Sequence, residues 1–169
     1  IGTDVDFPVW LFGFKDMIAN ILKIKEETST VTMTALRKCY YKLCPGGKED
    51  RAVYFDYVEF VKLMKFLDEE MVATGEYYKS GDRKGEERVT KGDYNGKLTN
   101  VVNILLDKAS DSNYNFLFSR NDQSYLYTLL KEILDNDMPV KNIDLSEIPH
   151  DVAIPIIGTI TKLVYEIQR

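Results

Sequence analysis

Residues 61–97 read VKLMKFLDEEMVATGEYY (Val61–Tyr78) and then KSGDRKGEERVTKGDYNGK (Lys79–Lys97). Whether this passage is helix, loop or strand decides the class of fold. From the turn before it and through its first half, Tyr57, Phe60, Val61, Met64, Leu67 and Met71 recur at three- and four-residue intervals, and Leu63 and Phe66 widen the same face. That period predicts one long helix running to about Tyr78, with an apolar face broad enough to touch more than one neighbour. The second half holds four glycines and almost no large apolar side chain, so a long polar loop is expected over 79–97. Six basic residues (Lys79, Arg83, Lys84, Arg88, Lys91, Lys97) outnumber four acidic ones (Asp82, Glu86, Glu87, Asp93) in it. Long loops often carry function, which makes Arg83, Lys84 and Arg88 candidate partner-binding residues.

Working outward, helical spacing dominates the rest of the chain. Phe7, Trp10, Leu11, Phe14, Met17, Ile18, Ile21 and Leu22 form one stripe over 7–22, with Lys15, Asp16, Asn20 and Lys23 opposite. Asp6 is placed to cap that helix, with Pro8 in the first turn. The stripe fits either a core helix or an arm that docks on a partner; in the second case Trp10, Leu11 and Phe14 are the candidate contacts, because Trp is enriched where interfaces carry energy. A second helix is expected from about Thr32 to Cys44, where Pro45, Gly46 and Gly47 stop it. Further helices are expected over LTNVVNILLDKA, DQSYLYTLLKEILDN and VAIPIIGTITKLVYEIQ, with Pro155 in the first turn of the last or kinking it. The expected fold is all-α: a compact orthogonal bundle of about six helices with one long polar loop, forming a single domain over 1–169.

Composition limits function. The chain has 169 residues, 44% apolar and 29% charged, with eleven Tyr, eight Phe and one Trp, which suits a chain that folds on its own core. It begins at Ile1 with no charged region ahead of an apolar one, and reads as a fragment of a longer protein. A net charge of −5 argues against a role dominated by phosphate backbones. The tyrosines together with Arg83, Lys84, Arg88 and Lys91 keep a nucleic-acid-binding helical domain as an alternative. Cys39 and Cys44 fall about 140° apart on a helix, so they are expected to be free thiols in a reducing, cytoplasmic setting. The single histidine, His150, leaves no Cys-His or Ser-His-Asp group, and HExxH, CxxC and GxSxG are all missing, so no enzyme activity is expected.

The segment DYVEFVKLM (Asp56–Met64) resembles the exit of an EF-hand, a calcium loop with oxygen ligands at positions 1, 3, 5, 7, 9 and 12 and a glycine at 6. With Glu59 at position 12, Lys48 falls at 1, Asp50 at 3, Ala52 at 5 and Val53 at 6, so two carboxylates and the turn glycine are lacking. The segment KGDYNGKLTNVV (Lys91–Val102) keeps the other half, with Asp93, Asn95, Gly96 and Leu98 at 3, 5, 6 and 8, but has Lys91 at 1 and Val102 at 12. A third echo starts at Asp135 and is one residue too long. The resemblance implies a degenerate EF-hand-like regulatory module that does not hold calcium. The leading expectation is a non-catalytic protein–protein interaction or assembly domain that docks a protein partner or itself, with no cofactor, no metal and no membrane insertion.

Overall fold

A computed structural model describes residues 1, 5–25, 29–134 and 140–167. The chain opens with a 3₁₀ turn, Val9–Phe12, a single α-helical turn, α1 (Phe14–Asp16), and a π-helical turn, Met17–Ile21. The expected helix over 7–22 is therefore broken, and Gly13 is the cause. Its φ is +78°, a conformation side chains resist, and a Cβ there would lie 3.0 Å from the Arg51 carbonyl. The break lets both sides of the segment reach apolar neighbours. Phe7, Val9, Trp10, Leu11, Phe12, Phe14, Met17, Ile18, Ile21 and Leu22 are all buried.

Five longer helices follow, and all but α3 match the expected ones to within a few residues. α2 (Thr30–Leu43) starts at Ser29, whose hydroxyl accepts from the Thr32 amide, and stops before Pro45. α3 (Tyr57–Asp68) is capped by Asp56, whose carboxylate accepts from the amides of Val58 and Glu59 at 2.8 and 3.2 Å. α4 (Thr99–Ser110) leads through a 3₁₀ turn, Ser112–Leu117, to α5 (Gln123–Leu134). α6 (His150–Ile167) closes the chain, with Pro155 in its second turn and not its first.

Aromatic packing ties the N-terminal segment to α2 and α3. Phe14 stacks on Tyr40 with ring centres 4.6 Å apart and meets Phe60 edge-on at 6.4 Å. Trp10 meets Tyr54 edge-on at 5.7 Å, and its indole N–H donates to the Asn121 carbonyl. Each such ring removed from water stabilises the fold by roughly 1.5–3 kcal/mol, and ring pairing adds to that. α6 packs on the N-terminal segment and on α5. Its first turn is held by Asp151, which accepts from Lys108 at 3.1 Å and Tyr114 at 2.9 Å.

One expectation about fold class is corrected. α3 ends at Asp68, and the residues read as its continuation form a strand, β1 (Met71–Tyr77), paired antiparallel with β2 (Glu87–Lys91). The chain is thus mostly helical with a two-stranded sheet, not all-α. Among the described residues no helix is long and apolar enough to cross a membrane.

Candidate interaction surface

The hairpin forms because Val72, Thr74, Val89 and Thr90 are β-branched and Gly75 interrupts the helical period. Its register pairs Met71 with Lys91, Val72 with Thr90, Ala73 with Val89 and Tyr77 with Glu87, which leaves a bulge between Ala73 and Tyr77. Gly75 sits in the bulge and donates its N–H to the Glu87 carboxylate, while the Thr74 hydroxyl donates to the Arg88 carbonyl. Beyond the strands the ladder continues, with Tyr78 donating to Glu86 and Gly85 to Tyr78, both at 3.0 Å. The segment 79–97 is therefore not a loop but the tip and returning strand of a ribbon.

Among the described residues, the bonds that anchor that ribbon to the body lie at its base. The Asp68 carboxylate, at the end of α3, accepts from the Leu98 amide and the Thr99 hydroxyl, each at 2.7 Å, and so caps α4 from outside. The Asp68 and Glu70 carbonyls accept from the amides of Gly96 and Gly92 at 2.8 and 2.9 Å, and the Asn95 side chain also donates to Glu70. Gly92 passes so near Glu70 that a Cβ would lie 2.5 Å from a carboxylate oxygen. GDYNGKLT (Gly92–Thr99) is thus the buckle of the hairpin.

Above the buckle nothing among the described residues covers either face. All seven residues of β1 are exposed, and Met71, Val72, Tyr77 and Val89 retain 51%, 45%, 57% and 47% of their accessible surface. At the tip the Arg83 and Arg88 guanidinium groups lie 4.7 and 5.1 Å from the centre of the Tyr78 ring. Both are matched by acids: Arg83 by Glu86 at 2.7 Å and Arg88 by Glu76 at 3.5 Å. The structure brings Arg83 and Arg88 together on Tyr78, whereas no contact unites Lys84 with them.

The other candidates fall elsewhere. Trp10, Leu11 and Phe14 lie inside the core at 2%, 1% and 1% exposure, so in this fold they present nothing to a partner. Glu59, the residue matched to the last calcium ligand, accepts from Lys62 at 2.7 Å. Asp50 turns its carbonyl to the Lys162 ammonium. The third EF-hand echo lies outside the described residues over 135–139. Among the described residues, no three His, Cys, Asp or Glu side chains are grouped to hold a metal. Burial pushes the Cys39 thiol up to about 11 and raises Cys44 as well, which disfavours the thiolate form at both. The sequence signal that marks the hairpin, β-branched pairs on either side of a glycine-rich turn, is present but was outweighed by the helical period leading into it.

No protein-family model matches the chain, and a search of curated proteins gives no match.

Proposed function

We propose that this chain is a non-catalytic interaction or assembly domain that engages a protein partner through its β1–β2 hairpin. The carrying observation is that the ribbon keeps both faces and both outer edges open while displaying Met71, Val72, Tyr77 and Val89. A lone two-stranded hairpin is marginal in water, and exposed strand edges are natural templates for another chain. Strand addition to an open edge gives affinity through backbone hydrogen bonds and specificity through alternate side chains. Support over a nucleic-acid role comes from Glu76 and Glu86, which already occupy the guanidinium groups a phosphate would need. Support over a calcium-binding role comes from the engagement of Glu59 by Lys62.

The test places a photoreactive phenylalanine analogue at Val89 in the full chain, within an extract of the native cell, with Lys62 on the body as control. The reading expects discrete, protease-sensitive adducts at Val89 that are missing at Lys62. Equal adduct patterns at both positions, or adducts removed by nuclease, would sink it.

A further inference from the structure

Resting on the reading of the ribbon as a contact site, we infer that its partner is a second copy of this chain. The two copies pair β2 with β2, antiparallel and edge to edge, about a two-fold axis at Val89. Hydrogen bonds fix which backbone groups face outward. The Glu86 and Arg88 carbonyls accept from the Tyr78 amide and the Thr74 hydroxyl, and the Gly92 amide donates to the Glu70 carbonyl. All three residues therefore turn towards β1. Backbone groups alternate sides along a strand, so those of Glu87, Val89 and Lys91 turn the other way. Among the described residues no second strand occupies that edge, and residues 88–91 are exposed along it.

Of the two edges of the ribbon, this one is regular. The β1 edge is broken between Ala73 and Tyr77, where the bulge turns Thr74 and Gly75 onto Arg88 and Glu87. Bulges of this kind close an edge to further strands. β2 carries no extra residue, and its edge runs unbroken from Glu87 to Lys91.

Charge complementarity selects a second copy and sets its register. β2 reads Glu87, Arg88, Val89, Thr90, Lys91. Run antiparallel against itself about Val89, it sets Glu87 level with Lys91, Arg88 level with Thr90, and Val89 on Val89. The Glu87–Lys91 pair forms twice, once on each side of the axis. Lys91 has no ion-pair partner among the described residues, and Glu87 has one carboxylate oxygen on the Gly75 amide. Arg88 is matched within its own chain by Glu76 at 3.5 Å, so it meets Thr90 without an unpaired charge. Outward residues 87, 89 and 91 all fall opposite outward residues, where strand pairs exchange backbone hydrogen bonds. The neighbouring registers fail. A slide of two residues one way sets Glu87 level with Asp93, and the other way sets Arg88 on Arg88. Like charges directly opposite destabilise a strand pair, and both slides take Lys91 away from Glu87.

The joined ribbons make one sheet in the order β1, β2, β2, β1. Ala73 pairs with Val89 in each copy, so the axis lies in a row of four apolar side chains: Ala73, Val89, Val89, Ala73. Rows on either side carry Met71, Lys91, Glu87 and Tyr77, with the new ion pair at their centre. A sheet of three or more strands sustains itself where a lone hairpin is marginal. The two-fold also closes the assembly. Both regular edges are consumed, and the edges left outside are the bulged ones, which resist a further strand.

The experiment is sedimentation equilibrium of the intact chain from low micromolar to about 0.3 mM, with Lys91→Glu, Glu87→Lys and an equimolar mixture of the two. The wild type should pass from single to double mass with concentration. Each variant alone sets like charges opposite each other twice, and should weaken dimerisation at least about tenfold. The mixture should recover it, because both contacts across the axis are then opposite in sign again. A hairpin merely loosened by loss of the Glu87 bond to Gly75 would not recover on mixing. Register is read separately. Val89→Cys should cross-link to itself under mild oxidation, since the paired Cα atoms lie about 5.5 Å apart. Lys91→Cys should not, because like residues there lie about 14 Å apart along the strands. A wild type that stays monomeric, variants that dimerise as it does, a mixture that does not recover, or equal cross-linking at the two cysteines overturns the inference. A monomeric chain whose Val89 still gives adducts with a different protein overturns this inference alone and leaves the proposed function standing; a monomeric chain with no Val89 adducts ends both.

Discussion

Asp68 joins the end of α3 to the start of α4 across the base of the hairpin, and Asp68→Ala should loosen all three. The substitution leaves the Leu98 amide without its acceptor, which amounts to loss of a helix cap worth about 1 kcal/mol. The Thr99 hydroxyl loses a charge-assisted bond worth about as much at an exposed site. Together about 2 kcal/mol should go, which for a chain of this length lowers the melting temperature by roughly 4–8 °C. Asp68→Asn keeps an acceptor for Leu98 but not the charge at the helix N-terminus, and should fall about midway. Local effects should exceed the global one. The amides of Gly92 and Gly96 donate to the carbonyls of Glu70 and Asp68, so their exchange with solvent deuterium should quicken by roughly thirtyfold if the buckle weakens by 2 kcal/mol. Protection in α2 should change far less. If Asp68→Ala melts within about 1 °C of wild type and Gly92 and Gly96 exchange unchanged, the hairpin is not held by this carboxylate and the account of its base is wrong.

Trp10→Ala should cost about 3–5 kcal/mol and lower the melting temperature by roughly 6–20 °C, because it opens a cavity against Tyr54 and frees the Asn121 carbonyl. A variant that melts normally but loses assembly would instead return Trp10 to the surface. Burial opposes ionisation of Asp151, but the hydrogen bonds from Lys108 and Tyr114 outweigh it and hold its carboxyl below the usual value. Its contribution to stability is therefore present above the unfolded carboxylate pKa of about 4 and is lost as pH falls through the lower, folded value. Melts of wild type and Asp151→Asn should accordingly differ at pH 7 and converge in strong acid; a gap that stays constant down to about pH 2.5 would refute this.

Much of the helical frame is legible in the residues alone. α2 ends where Pro45–Gly47 stop it, though it starts at Thr30 and not near Thr32, and α4, α5 and α6 keep their apolar residues in phase. What was not legible depends on distant contacts. Gly13 interrupts the first helix because the Arg51 and Glu49 carbonyls come within about 3 Å of where its Cβ would stand, and nothing near Gly13 in sequence announces them. The stripe reading of that segment also failed for a physical reason. Val9 and Phe12 lie off the stripe and are buried as deeply as Trp10, so the segment is enclosed and not two-sided. At the hairpin two local signals compete: Met71 prolongs the helical period while Val72, Thr74, Val89 and Thr90 favour strand. The balance falls to strand where Asp68 reaches Leu98, thirty positions away, a choice no window of sequence can see.

Two places remain where this sequence breaks a local rule that its own core does not enforce. The hairpin displays apolar residues on both faces with nothing among the described residues to cover them. α6 carries Pro155 in its second turn, where the ring removes a hydrogen-bond donor, and Gly158 one turn further on. In the N-terminal segment the comparable breach, Gly13, is explained within the domain by the backbone it touches. Among the described residues none comes within 4 Å of where a Gly158 Cβ would stand. Local rules are broken without internal compensation chiefly where a sequence serves something outside the fold. On that reasoning the open ribbon is the breach that the proposed contact with a protein partner would account for.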